Sequence, residues 1–179
     1  MPKVDVIEKE VEIPDNVKVK FDGVHLTVEG EKGKMERDFK HPRVKMSSED
    51  GKITVKCDMP NRAELGLTGT WIAHVENMMK GVTEGFNYKM RIIYSHFPVK
   101  TTVKGDQLII ENFLGERHPR RARILPDVTA KISGEMITLE GMNKEHVGQT
   151  AANIEKATLV KNYDPRVFQD GIYLVSRGE

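Results

Sequence analysis

Cysteine is nearly absent from this 179-residue chain. Cys57 stands alone, which excludes an internal disulfide and any multi-cysteine zinc site. No apolar run approaches the roughly 20 residues that a membrane-spanning helix needs. The start, Met1-Pro2-Lys3-Val4-Asp5, lacks the basic and apolar regions of a secretion signal, so a cytoplasmic location is expected. A charge excess of one sign is missing too: the net charge is +1, which does not by itself announce a nucleic-acid partner. Catalytic signatures are also absent. There is no Gly-x-x-x-x-Gly-Lys loop, no Gly-x-Gly-x-x-Gly turn and no Gly-x-Ser-x-Gly elbow. His25, His41, His74, His96, His118 and His146 are spread singly, with no pair at the four-residue spacing that binds a metal from one helix face. A lone histidine is most often a surface or partly buried residue. Cys57 alternates with Ile53 and Val55 and fits a core position better than a nucleophile's, and Trp71 beside Ile72 fits helix packing. The residues therefore predict no enzyme, no cofactor, no metal and no small-molecule substrate.

What is present is hydrophobic alternation broken by turn residues. Val17, Val19 and Phe21 alternate with lysines up to Asp22-Gly23, and Leu26 and Val28 continue the alternation beyond it. Period-2 patterning around Asp-Gly is a strong hairpin signal. Similar hairpins are predicted at Asp50-Gly51, at Gly105-Asp106 and at Ser133-Gly134. A helix should follow each pair. The first is capped by Asn61, with Leu65, Thr68, Ile72, Val75 and Met79 on its apolar face and Gly81 at its end. The second is capped by Asn143, with Val147, Ala151 and Ile154 inward.

These elements repeat at an offset of 82 to 84 residues. Leu26 and Val28 match Leu108 and Ile110, Ile53-Thr54-Val55 matches Ile137-Thr138-Leu139, and Asn61-Arg62-x-x-Leu65-Gly66-x-Thr68 matches Asn143-Lys144-x-x-Val147-Gly148-x-Thr150. The expected fold is α+β: two tandem copies of a small domain, 1–83 and 84–179, each an antiparallel β-sheet with one α-helix packed on one face. A basic and aromatic tail from about Leu159 completes the second copy.

Charge is uneven between the halves. Residues 1–85 hold 14 Lys/Arg against 16 Asp/Glu, and residues 86–179 hold 14 against 11, so the second half is better suited to a polyanion. Its densest basic run is Arg117-His118-Pro119-Arg120-Arg121-Ala122-Arg123, whose guanidinium groups suit phosphate oxygens. The competing reading is a solvated strand paired with Glu111 and Glu116. The second helix opens with Asn143-Lys144, at an end that favours anions, and sets Gln149, Asn153 and Lys156 on one face, with the small Ala151 and Ala152 opposite. In the tail, Lys161 and Arg166 mix with Tyr163, Phe168 and Tyr173, a blend that suits RNA. The tail can equally be an extra strand with Ile172 and Leu174 inward. A rival class is a protein-interaction module that adds partner strands at its sheet edges.

The stretch Ile137-Thr-Leu-Glu-Gly-Met-Asn-Lys-Glu-His-Val-Gly-Gln-Thr-Ala-Ala-Asn-Ile154 resembles the signature of the L-six family of large-subunit ribosomal proteins. Leu114-Gly115-x-x-His118-Pro119 resembles a second segment of that family, and Phe168-Gln-Asp-Gly-Ile-Tyr-Leu-Val175 looks like its archaeal and eukaryotic branch rather than the bacterial one. The resemblance implies a ribosomal component that binds large-subunit rRNA near the sarcin–ricin stem, among neighbouring ribosomal proteins and close to where translation factors dock. It points to His118, Asn143, Lys144, Gln149 and Asn153. Charge adds Arg117, Arg120, Arg121, Arg123, Lys156, Lys161 and Arg166 to the expected RNA-binding set.

Overall fold

The computed structural model describes residues 6–49, 51–95, 97–164 and 166–178. Asp50 and His96, both named above, lie outside the described residues, as do residues 1–5. The chain divides between residues 84 and 85 into two compact units.

Unit 1 runs β1 (Val6–Glu12), β2 (Lys18–Asp22), β3 (His25–Gly30), β4 (Gly33–Asp38), β5 (Val44–Glu49), β6 (Lys52–Asp58) and α1 (Arg62–Thr83). Unit 2 runs β7 (Phe86–Ile93), β8 (Lys100–Lys104), β9 (Gln107–Glu111), a short 3-10 turn (Phe113–Gly115), β10 (Arg120–Arg123), β11 (Val128–Ser133), β12 (Met136–Gly141), α2 (Lys144–Ala157) and β13 (Gly171–Ser176).

The α+β duplication is present, but each copy holds two antiparallel sheets where one was expected. Unit 1 pairs its strands as β1-β6-β5 and β2-β3-β4; unit 2 pairs them as β11-β12-β7-β13 and β10-β9-β8. The hairpin signals mark β2–β3, β5–β6, β8–β9 and β11–β12. They miss β1 and β7, which join their sheets through long-range pairing, and β4, the third strand of its sheet. Gly105 (φ 59°) and Gly134 (φ 59°) open two-residue loops in the left-handed conformation that a side chain would strain.

Each unit has its own core. In unit 1, Leu26, Val28, Ile53, Val55, Cys57, Trp71 and Val75 are buried together, so the inward assignment of Cys57 and Trp71 holds. In unit 2, Leu108, Ile110, Ile137, Leu139, Val147 and Ile154 are completely buried. Each such side chain stabilises its unit by about 1.5–3 kcal/mol.

Asn61 caps α1 as expected. Its side chain accepts from the Glu64 N–H at 2.8 Å, and the Glu64 carboxylate accepts from the Asn61 N–H at 2.8 Å. Arg43 meets that carboxylate at 3.2 Å. Two details of the expected helix change. Leu65 is 42% exposed and does not belong to the apolar face, and α1 passes through Gly81 to stop at Thr83, where Gly85 (φ 74°) turns the chain away. In unit 2 the tail's strand is real: β13 pairs with β7, with Ile172 buried and Leu174 packed on the core.

Candidate nucleic-acid interface

Strand β10 is the edge of its sheet, and alternation decides what it shows to solvent. Ala122 points inward and is 2% exposed, so Arg121 and Arg123 point out. Helix α2 runs beside it. Ala151 is buried there and Ala152 half-buried, and side chains this small let the helix sit close to the sheet. Between strand and helix lies a groove of 680 Å³ lined by Arg121, Ala122, Arg123, Leu125, Pro126, Gln149, Asn153, Lys156 and Ala157. Three cations line it, and none of those residues is acidic.

The groove is held in shape before any ligand arrives. The Gln149 amide donates to Asn153 Oδ1 at 2.9 Å, and Asn153 Nδ2 donates to the Arg123 carbonyl at 3.0 Å, so the helix is tied to the basic strand. Below them the buried Thr150 hydroxyl accepts from the Leu125 N–H at 3.1 Å and fixes the chain as it leaves β10. A site that needs no rearrangement loses less free energy on binding.

Of the expected RNA-binding residues, the structure thus gathers Arg121, Arg123, Gln149, Asn153 and Lys156. Arg120 is different, because its guanidinium is used inside the unit. It makes a two-pronged pair with Glu116 at 2.8 and 2.6 Å, donates to the Ala157 and Leu159 carbonyls at 2.9 and 3.0 Å, and lies 4.4 Å from the Phe113 ring centre. The Arg120 hydrogen bond holds the Glu116 carboxyl below the usual carboxylate range. Arg120 thus fastens the end of α2 to β10 and does not line the groove.

The others stand apart from the groove. Arg117 and His118 are exposed in the loop that follows the 3-10 turn, where Asn112 (φ 60°), Leu114 (φ 50°) and Gly115 (φ 76°) fold the chain back. Asn143 caps α2, its side chain accepting from the Glu145 N–H at 2.9 Å. Lys144 projects about 140° around the helix from Gln149, and its ammonium lies 5.7 Å from the Phe86 ring centre. Lys161 and Arg166 are exposed along the tail, whose Tyr163 and Phe168 rings pair with each other at 4.7 Å. Leu125, Pro126 and Ala157 complete the groove without a charge or motif that would mark them in the sequence.

The duplication supplies an internal comparison. Leu26 lies opposite Arg37 in unit 1, and its counterpart Leu108 lies opposite Ala122 in unit 2. That register sets Glu36 at the place of Arg121 and Asp38 at the place of Arg123. On the helices, Trp71 stands where Asn153 does, buried and 5.3 Å from Phe39. Unit 1 therefore has acids and a filled hollow where unit 2 has arginines and an open one.

An open cationic groove held in shape by hydrogen bonds has the make-up of a binding surface for an anionic partner. The family model for ribosomal protein L6 matches residues 13–85 and 97–171, one match per unit. The large ribosomal subunit protein uL6 of Methanococcus vannielii is 46% identical over 177 residues, covering 99% of this chain and 97% of its own. The protein of the same name from Methanobrevibacter smithii is 44% identical over 171 residues, covering 96% of each. The chain belongs to the ribosomal protein L6 family, whose members are structural rather than enzymatic. Both relatives are archaeal, in line with the type of tail read from the sequence.

Proposed function

We propose that this chain is a structural constituent of the large ribosomal subunit and that the groove of unit 2 binds large-subunit rRNA. The observation that carries the reading is the convergence of Arg121, Arg123 and Lys156 on one preorganised hollow with no acid in its lining. Phosphates take the three cations, the Gln149 and Asn153 amides add hydrogen bonds to sugar or base edges, and the width of the groove selects RNA by shape. The finer placement, near the base of the sarcin–ricin stem with neighbouring ribosomal proteins and docking translation factors close by, rests on the family relationship. Among the described residues no helix is long and apolar enough to cross a membrane.

The test is a sucrose gradient of cell lysate probed for this protein, followed by chemical footprinting of the rRNA with and without it. Comigration with large subunits, released by high salt, together with protection of the sarcin–ricin stem supports the proposal. Comigration with protection elsewhere overturns the placement alone. A peak free of ribosomes overturns the whole and favours the strand-adding interaction module.

A further inference from the structure

The four-stranded sheet of unit 2 carries α2 on one face only. Tyr88, Met90, Ile92, Ile137 and Leu139 point to the helix side and are buried, while the alternate positions point the other way, with Asn87, Lys89 and Arg91 exposed. The repeat shows what has changed on that outer face. Val11 lies opposite Ile53 in unit 1, and Met90 lies opposite the equivalent Ile137 in unit 2. Glu10 and Glu12 therefore occupy the places of Lys89 and Arg91. Two carboxylates in one copy are two cations in the other, at positions that the core does not constrain.

Two further observations point to a ligand. Lys131 and Lys89 flank Thr138 in a row across three adjacent strands, which sets their Cα atoms about 10 Å apart. On the fourth strand, β13, Tyr173 stands beside Arg91 and is 44% exposed. Its ring lies over Gly171, where an added Cβ would come within 2.9 Å of ring atoms, and its hydroxyl donates to the Gln169 carbonyl at 3.3 Å. The ring is thus held on the open face. The acids nearby do not neutralise it: Arg91–Glu135 at 3.8 Å and Lys131–Glu140 at 2.6 Å are solvent-exposed pairs, which hold weakly against a competing phosphate. Lys89 has no ion pair among the described residues.

We propose that this outer sheet face is a second RNA-binding surface, with Lys89, Arg91 and Lys131 on phosphates and Tyr173 stacked on an unpaired base. The inference rests on the reading of unit 2 as an RNA binder and adds a second contact to it. The groove lies on the helix side of the sheet and this surface on the other, so the two hold separate RNA segments and unit 2 bridges them.

The test uses the full chain and an in vitro transcript of large-subunit rRNA, with affinity measured against KCl concentration. Lys89→Glu/Arg91→Glu, which restores the charge of unit 1, should weaken binding at least about tenfold and lower the salt slope by about 2. Tyr173→Ala should weaken it about fivefold with the slope unchanged. Arg121→Ala/Arg123→Ala is run beside them. Wild-type affinity and slope in the outer-face variant, with the groove variant weakened, overturns the second surface and leaves the groove reading intact. The opposite pattern keeps the second surface and overturns the groove. Full binding by both variants overturns both. Far-UV circular dichroism checks that each variant is folded; should the charge-inverted variant not fold, Lys89→Gln/Arg91→Gln replaces it, with a slope reduction of about 2 still expected.

Discussion

Replacing Arg120 by alanine separates a structural arginine from the groove-lining ones beside it. The substitution removes two hydrogen bonds to the carbonyls at the end of α2, the pair with Glu116 and the contact with the Phe113 ring. Taking about 1 kcal/mol for each carbonyl bond, and about 0.5 each for the half-exposed ion pair and the ring contact, the loss is about 3 kcal/mol. For a unit of this size the midpoint of thermal unfolding should fall on the order of 15 °C. Trp71 is the only tryptophan and lies in the core of unit 1, so its emission follows unit 1 while far-UV circular dichroism follows both. The expected result is a destabilised transition in circular dichroism with the Trp71 transition in place. Arg120→Lys should recover little, because an ammonium cannot reproduce the two-pronged geometry. Acid provides a further check. Arg120 lowers the Glu116 pKa, so the pair contributes fully above the ordinary carboxylate value and fades as pH falls through the lowered one. The gap between wild type and variant should narrow over that acid range. A cost under about 1 kcal/mol, or a reduced salt slope of RNA binding with stability unchanged, would refute the structural assignment.

Arg121→Ala/Arg123→Ala should show the reverse signature, with stability within about 0.5 kcal/mol of wild type and the salt slope of rRNA binding lower by about 2. Gly141→Ala should destabilise unit 2 by about 1–3 kcal/mol in urea titration, because the new Cβ would sit 2.7 Å from Val147 Cγ2 and 2.9 Å from the Asp127 carbonyl. Leu65→Ser should cost no more than about 0.5 kcal/mol by the same assay, since Leu65 is 42% exposed; a core-sized loss would restore it to the apolar face. The hydrogen bond with Asp38 raises the pKa of His25 above the ordinary histidine value, so that pair stabilises unit 1 below the ordinary value and stops doing so as pH rises through the raised one. Asp38→Asn should lower the His25 titration midpoint in an NMR pH series, and an unmoved midpoint would contradict the pairing.

Much of the fold could be read from the chain because its signals are local. Asn61 and Asn143 cap helices for reasons contained within three residues of each, and the hairpins follow from glycines at two-residue turns. Two of the strands that the hairpin signals miss, β1 and β7, depend on partners far away. Phe86, Tyr88, Met90 and Ile92 alternate as clearly as any strand here, yet β7 has no hairpin partner next to it in sequence and pairs with β12 and β13 instead. Without β7, the four-stranded sheet cannot be inferred. The division of each copy into two sheets is likewise a choice of partners that alternation does not encode. The site was legible by composition and not by geometry. Four arginines in seven residues marked the place, but only the neighbouring Glu116, Phe113 and end of α2 show that Arg120 faces inward to them while Arg121 and Arg123 face the groove.

The repeat also shows where specificity can change without touching the fold. Thr68 and Thr150, at matching helix positions, are both fully buried, and the matched pairs Leu26 and Leu108, Ile53 and Ile137 are buried to the same degree. At outward positions of the strands paired with these the two copies carry opposite charge: Glu36 and Asp38 against Arg121 and Arg123, Glu10 and Glu12 against Lys89 and Arg91. Exposed strand positions contribute little to stability, so such exchanges are nearly free for folding and decisive for a charged partner. The same core is thus written twice, with cations on one copy's surface where the other carries acids. By that argument, swapping the signs should move RNA affinity between the copies: Glu36→Arg/Asp38→Arg should add cationic surface to unit 1 yet open no groove, because Trp71 still fills the place that Asn153 leaves open. Such a variant should gain only weak, fully salt-sensitive RNA binding, and a gain in salt-resistant affinity would show that charge alone, without the preorganised groove, is sufficient.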